Sequence, residues 1–473
     1  MDPNKRRNFI AGESMIKKDI KRYAKFFKGY TELRLQENRT GRISLLNGNL
    51  VSNEENSSCG FSSRAYSNGY WGFSAVPSSA PAEIKRVIGE AVSNAAYLSG
   101  QVGKRPGTLP GENPCSFEDF STKKPRKSRK ELVDFIREVD THIAKKYRTL
   151  KSRHIVLNSL NVEKQFLNSD GASFCSFLPR TTIAIYLSVE TKKGSADFVE
   201  TWGGRGQFED VFADPSDLFE KLGQQHSHLM KKAEGVYPAA GIKECVLAPE
   251  LAGVLAHEAI GHTTEADLVL GGSVAGNLMN KRVASPLITL VDYANSFMGQ
   301  TCQTPIYVDD EGTKAEDVVI IDKGVLKSYM HNKESARHYK VKPTGNARAF
   351  AFSDEPLIRM RNTAIVPGGS KLEEMISSVK DGYYMMRRGN GQADLTSEFM
   401  FAVTLGYEIR NGKLGRAIKD SSVSGMAYDV LKTVSMVSDN MYWRTFGFCG
   451  KSQPMLLSMG GPALKCCINV GGR

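Results

Sequence analysis

An apolar run, Leu251 to Ala256, delivers His257, Glu258 and His262 together, and Glu265 and Asp267 follow within two turns. Two imidazoles hold a divalent metal through ring nitrogens, and a carboxylate beside the first can take a proton from a water that the metal has acidified. These residue types in this order predict a metal-dependent hydrolytic centre with Glu258 as general base.

The spacing departs from the commonest zinc-peptidase pattern, in which the two histidines lie four apart and share a helix face. Here they lie five apart, which on a regular helix separates their directions by about 140°. A shared metal therefore requires a distortion. Either a π-bulge, which aligns i with i+5, or a helix that stops at Gly261 would swing His262 back toward His257.

A catalytic zinc keeps three protein ligands and leaves its fourth position to water, so two histidines require one more donor. On the residues alone, Glu265, Asp267, His331, His338 and Cys449 all remain open for that role. Glu265 and Asp267 are equally candidates for orienting a ligating imidazole. A purely structural metal would instead be closed by four protein ligands and would not need the carboxylate at 258.

At 473 residues the chain is long enough for two domains, and 41% hydrophobic with 24% charged residues is the composition of a folded soluble protein. No apolar run approaches the roughly 18 residues that span a bilayer, and no apolar segment follows the basic start. Cytoplasm is the expected location, and the 8 cysteines lack the spacing of a disulfide framework. The net charge of +12 resides in two stretches. Residues 1–28 carry nine Lys/Arg against three acids, and residues 123–130 carry six Lys/Arg and no acid. The half that holds the histidines is therefore electrically balanced, which argues against a nucleic-acid surface there. The two basic stretches read as a solvated helix face and an exposed linker.

The elements that must position the histidines follow from periodicity. Residues 14–28 place Ile16, Ile20, Tyr23, Ala24 and Phe27 at helical intervals. Alternating segments at Thr31–Gln36, Ile43–Leu46, Gly60–Tyr66 and Tyr70–Val76, with turns at Asn47-Gly48 and Asn68-Gly69, predict an antiparallel meander. Helices are expected at 82–98 and about 129–147, with a long loop at 100–128. Strands follow near Ile155–Leu160, Val162–Leu167, Ser173–Leu178, Thr182–Glu190 and Asp197–Gly203, and Pro215 opens a helix to about Glu234. The boundary is placed at Gly235–Lys243. The reading is an α+β fold, with an N-terminal domain (1–234) of antiparallel sheet and helices. A C-terminal domain (235–473), mostly antiparallel β and of barrel-like form, carries the metal-site helix. In it, hairpins are expected at Val318–Ile321, Val325–Met330 and Phe399–Arg410, with helices at about 371–380 and 424–434.

The segments His257-Glu-Ala-Ile-Gly-His262, Cys449-Gly-Lys451 with Pro454, and Gly460-Gly-Pro462 together resemble the TldD/PmbA family of metallopeptidases, named historically as modulators of DNA gyrase. Lys327-Ser-Tyr-Met330, Pro343-Thr-Gly-Asn-Ala-Arg348, Gly389-Asn-Gly-Gln-Ala-Asp394 and Asn68-Gly-Tyr-Trp-Gly-Phe73 are similar to the family as well. The resemblance implies a cytoplasmic zinc-dependent peptidase acting on unfolded or peptide-like substrates. It also implies assembly as a dimer, of like subunits or with a relative that lacks the metal motif. This chain keeps the motif, as the catalytic type does. The resemblance assigns the third metal ligand to Cys449, beside His257 and His262, and the general base to Glu258. The family usually has a glycine between the serine and glutamine that follow, whereas this chain runs Lys451-Ser452-Gln453. Two other functions compete: a non-catalytic regulatory subunit with a structural metal, and a nucleic-acid-associated modulator.

Overall fold

The computed structural model describes residues 19–103 and 107–471. Asn47-Gly48 and Asn68-Gly69 each supply two consecutive left-handed residues, with φ of 50° and 87° at the first pair and 51° and 95° at the second. Turns of this kind match the twist of antiparallel strands. They fold β1 (Tyr30–Leu46), β2 (Asn49–Ser67) and β3 (Tyr70–Val76) into the predicted meander. The strands are longer than their alternating segments, because polar residues in their middles are also paired. Arg39, for example, reaches Glu37 and Glu163 at 3.1 Å each.

Likewise the four segments between Ile155 and Glu190 merge into two strands, β5 (Leu150–Asn168) and β6 (Ser173–Thr191), followed by β7 (Gly194–Arg205). The 100–128 stretch is not all loop: within it β4 (Cys115–Asp119) pairs in parallel with β6. The resulting sheet has the order β3-β2-β1-β5-β6-β4, with β7 also on β6. Helix α1 (Pro81–Val102) covers β2 and β3. Its backbone passes so close to Gly72 that a Cβ there would meet the Ala91 carbonyl at 2.1 Å. Helix α2 (Arg129–Lys146), with Ser128 and Glu131 forming its capping box, and the helix Phe219–Glu234 bury a second core with β5, β6 and β7.

Two expectations change in this half. Residues 14–18 of the predicted first helix lie outside the described residues, and the remainder forms a 3₁₀ segment, Lys21–Phe26. Three residues per turn bring Ile20 and Tyr23 onto the same core as Phe61 and Ile84, which an α-helix would align less well. The basic stretch 123–130 is tethered rather than free. Lys124 donates to the Glu209 carbonyl at 2.7 Å, Arg126 pairs with Glu209 at 3.1 Å, and Arg129 pairs with Glu55 at 3.3 Å.

Beyond residue 240 the chain builds two sheets. Strands Asp381–Ala393, Gly241–Leu247, Leu464–Gly471, Ser421–Met426 and Glu398–Arg410 pair in that order, and the last pairs back on the first, closing a five-stranded barrel. Lys413–Ile418 extends it outside the ring, on Glu398–Arg410. A six-stranded sheet stands beside it, ordered Val325–Leu326, Val318–Asp322, Leu290–Tyr293, Asn362–Ile365, Gln453–Gly461 and Tyr442–Lys451. Pairing is antiparallel except between Asp381–Ala393 and Gly241–Leu247 and between Asn362–Ile365 and Gln453–Gly461. The expected hairpin at 325–330 is strand only over Val325–Leu326, and the two expected helices are shorter, Leu372–Ser377 and Ala427–Lys432.

The polar face of the first sheet docks on loops of the second half. Gln36 and Asn38 both donate to the Phe350 carbonyl, Lys164 meets Asp310 at 2.6 Å, and Arg64 meets Glu311 at 2.8 Å. Burial would raise the Asp310 carboxyl, but Lys164 and Arg34 hold it below the usual range.

The histidine segment is packed between barrel and six-stranded sheet, in a core containing Leu251, Val254, Leu255, Ile260, Met385, Phe401 and Leu457. Its first helical turns, Pro249–Val254, approach the strand Gln453–Gly461 through glycine: a Cβ on Gly253 would lie 3.1 Å from the Gly460 backbone. Gly253→Ala must therefore push the helix off the sheet. We expect it to lower stability by about 1–3 kcal/mol in urea denaturation, as overpacking does.

Candidate metal centre

The helix that starts at Pro249 does not continue regularly. Leu255–Gly261 is a π-helix, His262–Thr264 is a 3₁₀ turn, and Glu265 is extended with φ −72° and ψ 120°. The distortion required by the five-residue spacing is thus present, and the two imidazole rings face each other edge to face with centroids 4.9 Å apart. At Gly261 a Cβ would fall 2.0 Å from the Met360 sulfur, so any side chain there would displace that methionine.

Cys449 reaches the same point from the strand Tyr442–Lys451, with its Sγ 3.0 Å from His262 Nε2. One donor atom each from His257, His262 and Cys449 lies within 4.8 Å of the others. The other third-ligand candidates are elsewhere. His331 Nδ1 is 3.1 Å from Ser335 Oγ, His338 packs edge-on to Tyr339, and Asp267 pairs with Lys451 at 2.7 Å. Glu258 is partly exposed, with Oε2 3.8 Å from His262 Nε2.

The electrostatics suit a cation. His257 is wholly buried, and neither ring nitrogen has a hydrogen-bond partner. Burial, reinforced by His262, Arg359 and Arg388, holds its pKa well below the ordinary value, so it is the neutral, ligating form. A buried imidazole with two unsatisfied nitrogens is unfavourable unless something binds it. The donor set of two imidazoles and one thiol is one that zinc accepts, and these residues fit such an ion. Burial also lowers His262, but Glu265 and the Cys449 contact override it and raise the ring to about 10. Burial raises Glu258, against the opposing pull of His262 and Arg388, in the direction that a base working near neutrality needs.

Behind this set stand Glu265, which the sequence offered as a candidate to orient an imidazole, and Lys451 and Arg359, to which it gave no role. Glu265, fully buried, accepts from His262 Nδ1 at 3.2 Å and pairs with Lys451 at 3.1 Å, which fixes the ring so that Nε2 faces Cys449. Burial would raise this carboxyl, but His262 and Lys451 hold it low. Arg359, 1% exposed, donates to the carbonyls of Cys449 at 2.7 Å and Gln453 at 2.9 Å, clamping the turn at Ser452, whose φ is 60°. Lys451 carried a signal, its place in Cys-Gly-Lys. Arg359 carried none, since an arginine in sequence reads as surface. Asn346 and Arg348, in the family-like segment 343–348, are buried structural groups: Asn346 donates to Asp292 at 2.8 Å, and Arg348 donates to the Met360 carbonyl at 2.7 Å. Asp394 caps its own turn, accepting from Thr396.

Against known proteins, residues 241–470 match the family model described as the PmbA/TldA metallopeptidase C-terminal domain, and residues 31–95 match PmbA/TldA metallopeptidase domain 1. The chain is 30% identical to a metalloprotease of Methanothermobacter thermautotrophicus over 92% of its own length and 94% of that protein. It is 28% identical to a zinc metalloprotease TldD homolog of Saccharolobus solfataricus, over 87% of this chain and 90% of that one. In fold it is similar to TldE from Thermococcus kodakarensis, with a TM-score of 0.74 at 18% identity over 95% of this chain and 98% of that one. A Thermotoga maritima protein solved as a candidate modulator of a DNA gyrase gives a TM-score of 0.75 at 18% identity, covering 93% and 96%. The architecture is shared with these solved structures, and the family models that match describe metallopeptidase domains. This chain belongs to the PmbA/TldD family.

The pairing behind His262 is testable. Lys451→Met leaves the buried Glu265 with one cationic partner fewer and should destabilise the chain by about 1.5–3 kcal/mol. Glu265→Gln should weaken zinc binding about 10–100-fold by loosening the His262 ring. Equal zinc affinity for Glu265→Gln and the parent, measured with a competing chelator, would remove Glu265 from the centre.

Proposed function

We propose that the chain is a zinc-dependent peptidase that hydrolyses peptide bonds in unfolded or peptide-like substrates. The observation that carries this reading is the convergence of His257, His262 and Cys449 donor atoms within 4.8 Å, with a carboxylate, Glu258, at their edge. His257, His262 and Cys449 would hold the ion. Zinc held there would supply a Lewis acid able to polarise a carbonyl and to acidify water. Glu258, at the edge of the donor set, would accept a proton from the attacking water and return it to the leaving amine. His262 keeps its Nε2 directed at the site because Glu265 holds Nδ1, and Arg359 holds the Cys449 backbone in place.

Among the described residues the donor group has three members, not the four of a closed structural site. That supports catalysis over a structural metal. Nucleic-acid modulation has less support, because three of the six cations of 123–130, Lys124, Arg126 and Arg129, contact the chain's own carboxylates and carbonyls. Assembly as a homodimer or with a metal-less relative, and a cytoplasmic location, belong to the same proposal. No helix of the described residues is long and apolar enough to cross a membrane.

Metal analysis of the purified chain, with peptide hydrolysis before and after chelation, tests the reading: a chain that stays metal-free after reconstitution, or is indifferent to chelators, refutes it. Glu258→Gln should retain zinc and lose about 10²–10⁴ in turnover, the contribution of a positioned base. Cys449 should be shielded from alkylation by zinc and exposed by chelation. Cys449→Ser should weaken zinc binding more than Cys466→Ser or Cys467→Ser, which lie on a barrel strand away from the donor group.

A further inference from the structure

A cavity of about 200 Å³ is lined by Glu200, Glu250, Arg387, Arg388, Tyr442 and Arg444 among others. Its walls are the elements that build the metal centre. Glu250 opens the histidine helix, Tyr442 and Arg444 lie on the strand of Cys449, and Arg387 and Arg388 lie on the barrel strand Asp381–Ala393.

The carboxylates in this cavity are already engaged. Arg387 meets Glu200 at 2.9 Å and Glu250 at 3.6 Å, and Arg444 meets Glu250 at 3.2 Å. Arg388 differs: among the described residues its guanidinium has no hydrogen bond and no ion pair, although it is half-buried. Burial, with Arg444 adding to it, lowers its pKa to about 10, so it is still cationic near neutrality. Its charge is felt at both His257 and Glu258. Glu250 and Glu258 act on this charge without pairing with it, so its hydrogen-bonding fork is left for a ligand, and that fork is matched by the two oxygens of a carboxylate.

We propose that Arg388 anchors an anion subsite in this cavity that takes a carboxylate of the substrate peptide, either its free C-terminal carboxylate or an acidic side chain. The inference rests on the peptidase reading and deepens it. Because the charge of Arg388 is felt at both His257 and Glu258, the recognised acid would lie close to the scissile bond.

The test uses the full zinc-loaded chain carrying Glu258→Gln, so that peptides bind without turnover. Fluorescent peptides of one neutral sequence are compared as the C-terminal amide, as the free acid, and as the amide with a single glutamate moved along the chain. At least tenfold tighter binding of one acidic form than of the neutral amide is expected, and which form gains separates a terminal carboxylate from a side chain. Arg388→Met should reduce that preference to within twofold, and Arg388→Lys should keep part of it. Equal binding of all peptides by the Glu258→Gln chain, or a preference that survives Arg388→Met in a chain whose thermal melt is unchanged, overturns the subsite. Hydrolysis of the same peptides by the unsubstituted chain is read separately. Absent hydrolysis with the preference intact refutes the peptidase reading alone, and hydrolysis without any preference refutes the subsite alone.

Discussion

Two imidazoles five residues apart converge only where the helix between them widens, and that constraint governs what surrounds them. A π-turn has poorer packing along its axis than an α-turn and persists where neighbours hold it. Here the barrel lies on one side and the six-stranded sheet on the other. The helix is admitted between them because Gly253 passes the Gly460 backbone and Gly261 passes Met360 without side chains of their own. The same wedge buries His257 fully and, among the described residues, leaves both its ring nitrogens without a hydrogen-bond partner, free to ligate. Widened helix, glycine contacts and buried imidazole are three aspects of one arrangement.

The centre is held from behind by charge and from the side by main chain. Glu265 and Lys451 form a buried chain of contacts that ends on His262 Nδ1, and Arg359 ties the carbonyls of the Cys449 turn. Neither group needs to touch a substrate. Each fixes a donor whose own side chain has free rotation, which is how a site built from a helix and a distant hairpin attains one geometry.

The two imidazole donors and the helical distortion between them were legible because a five-residue spacing constrains geometry strongly, whereas residue types left the third donor open among five side chains and only the family resemblance pointed to Cys449. The meander was legible at Asn47-Gly48 and Asn68-Gly69, where the turn chemistry is specific. Strand lengths were not, because Gln36, Asn38 and Lys164 break the apolar alternation while being buried against Phe350 and Asp310 across the junction of the two halves. Arg361 and Asp292, both fully buried at 2.9 Å, show the same limit: in one dimension a buried ion pair looks like two surface charges. A barrel-like form was expected from the run of antiparallel strands, but the pairing that closes it was not legible, since it needs Asp381–Ala393 to pair in parallel with Gly241–Leu247, more than 130 residues earlier, as well as with its neighbour Glu398–Arg410.

The sulfur of Cys449 and the ring of His262 are 187 residues apart along the chain. Closing so large a loop is slow compared with forming a helix, and nothing local can substitute for it. A newly made or partly unfolded copy therefore carries the histidines without the third donor, and on the peptidase reading it is inert. An enzyme whose substrates are themselves unfolded chains meets its own nascent copies among them. Completion of its fold is then the event that arms it, and a copy that loses its tertiary structure is disarmed in the same step.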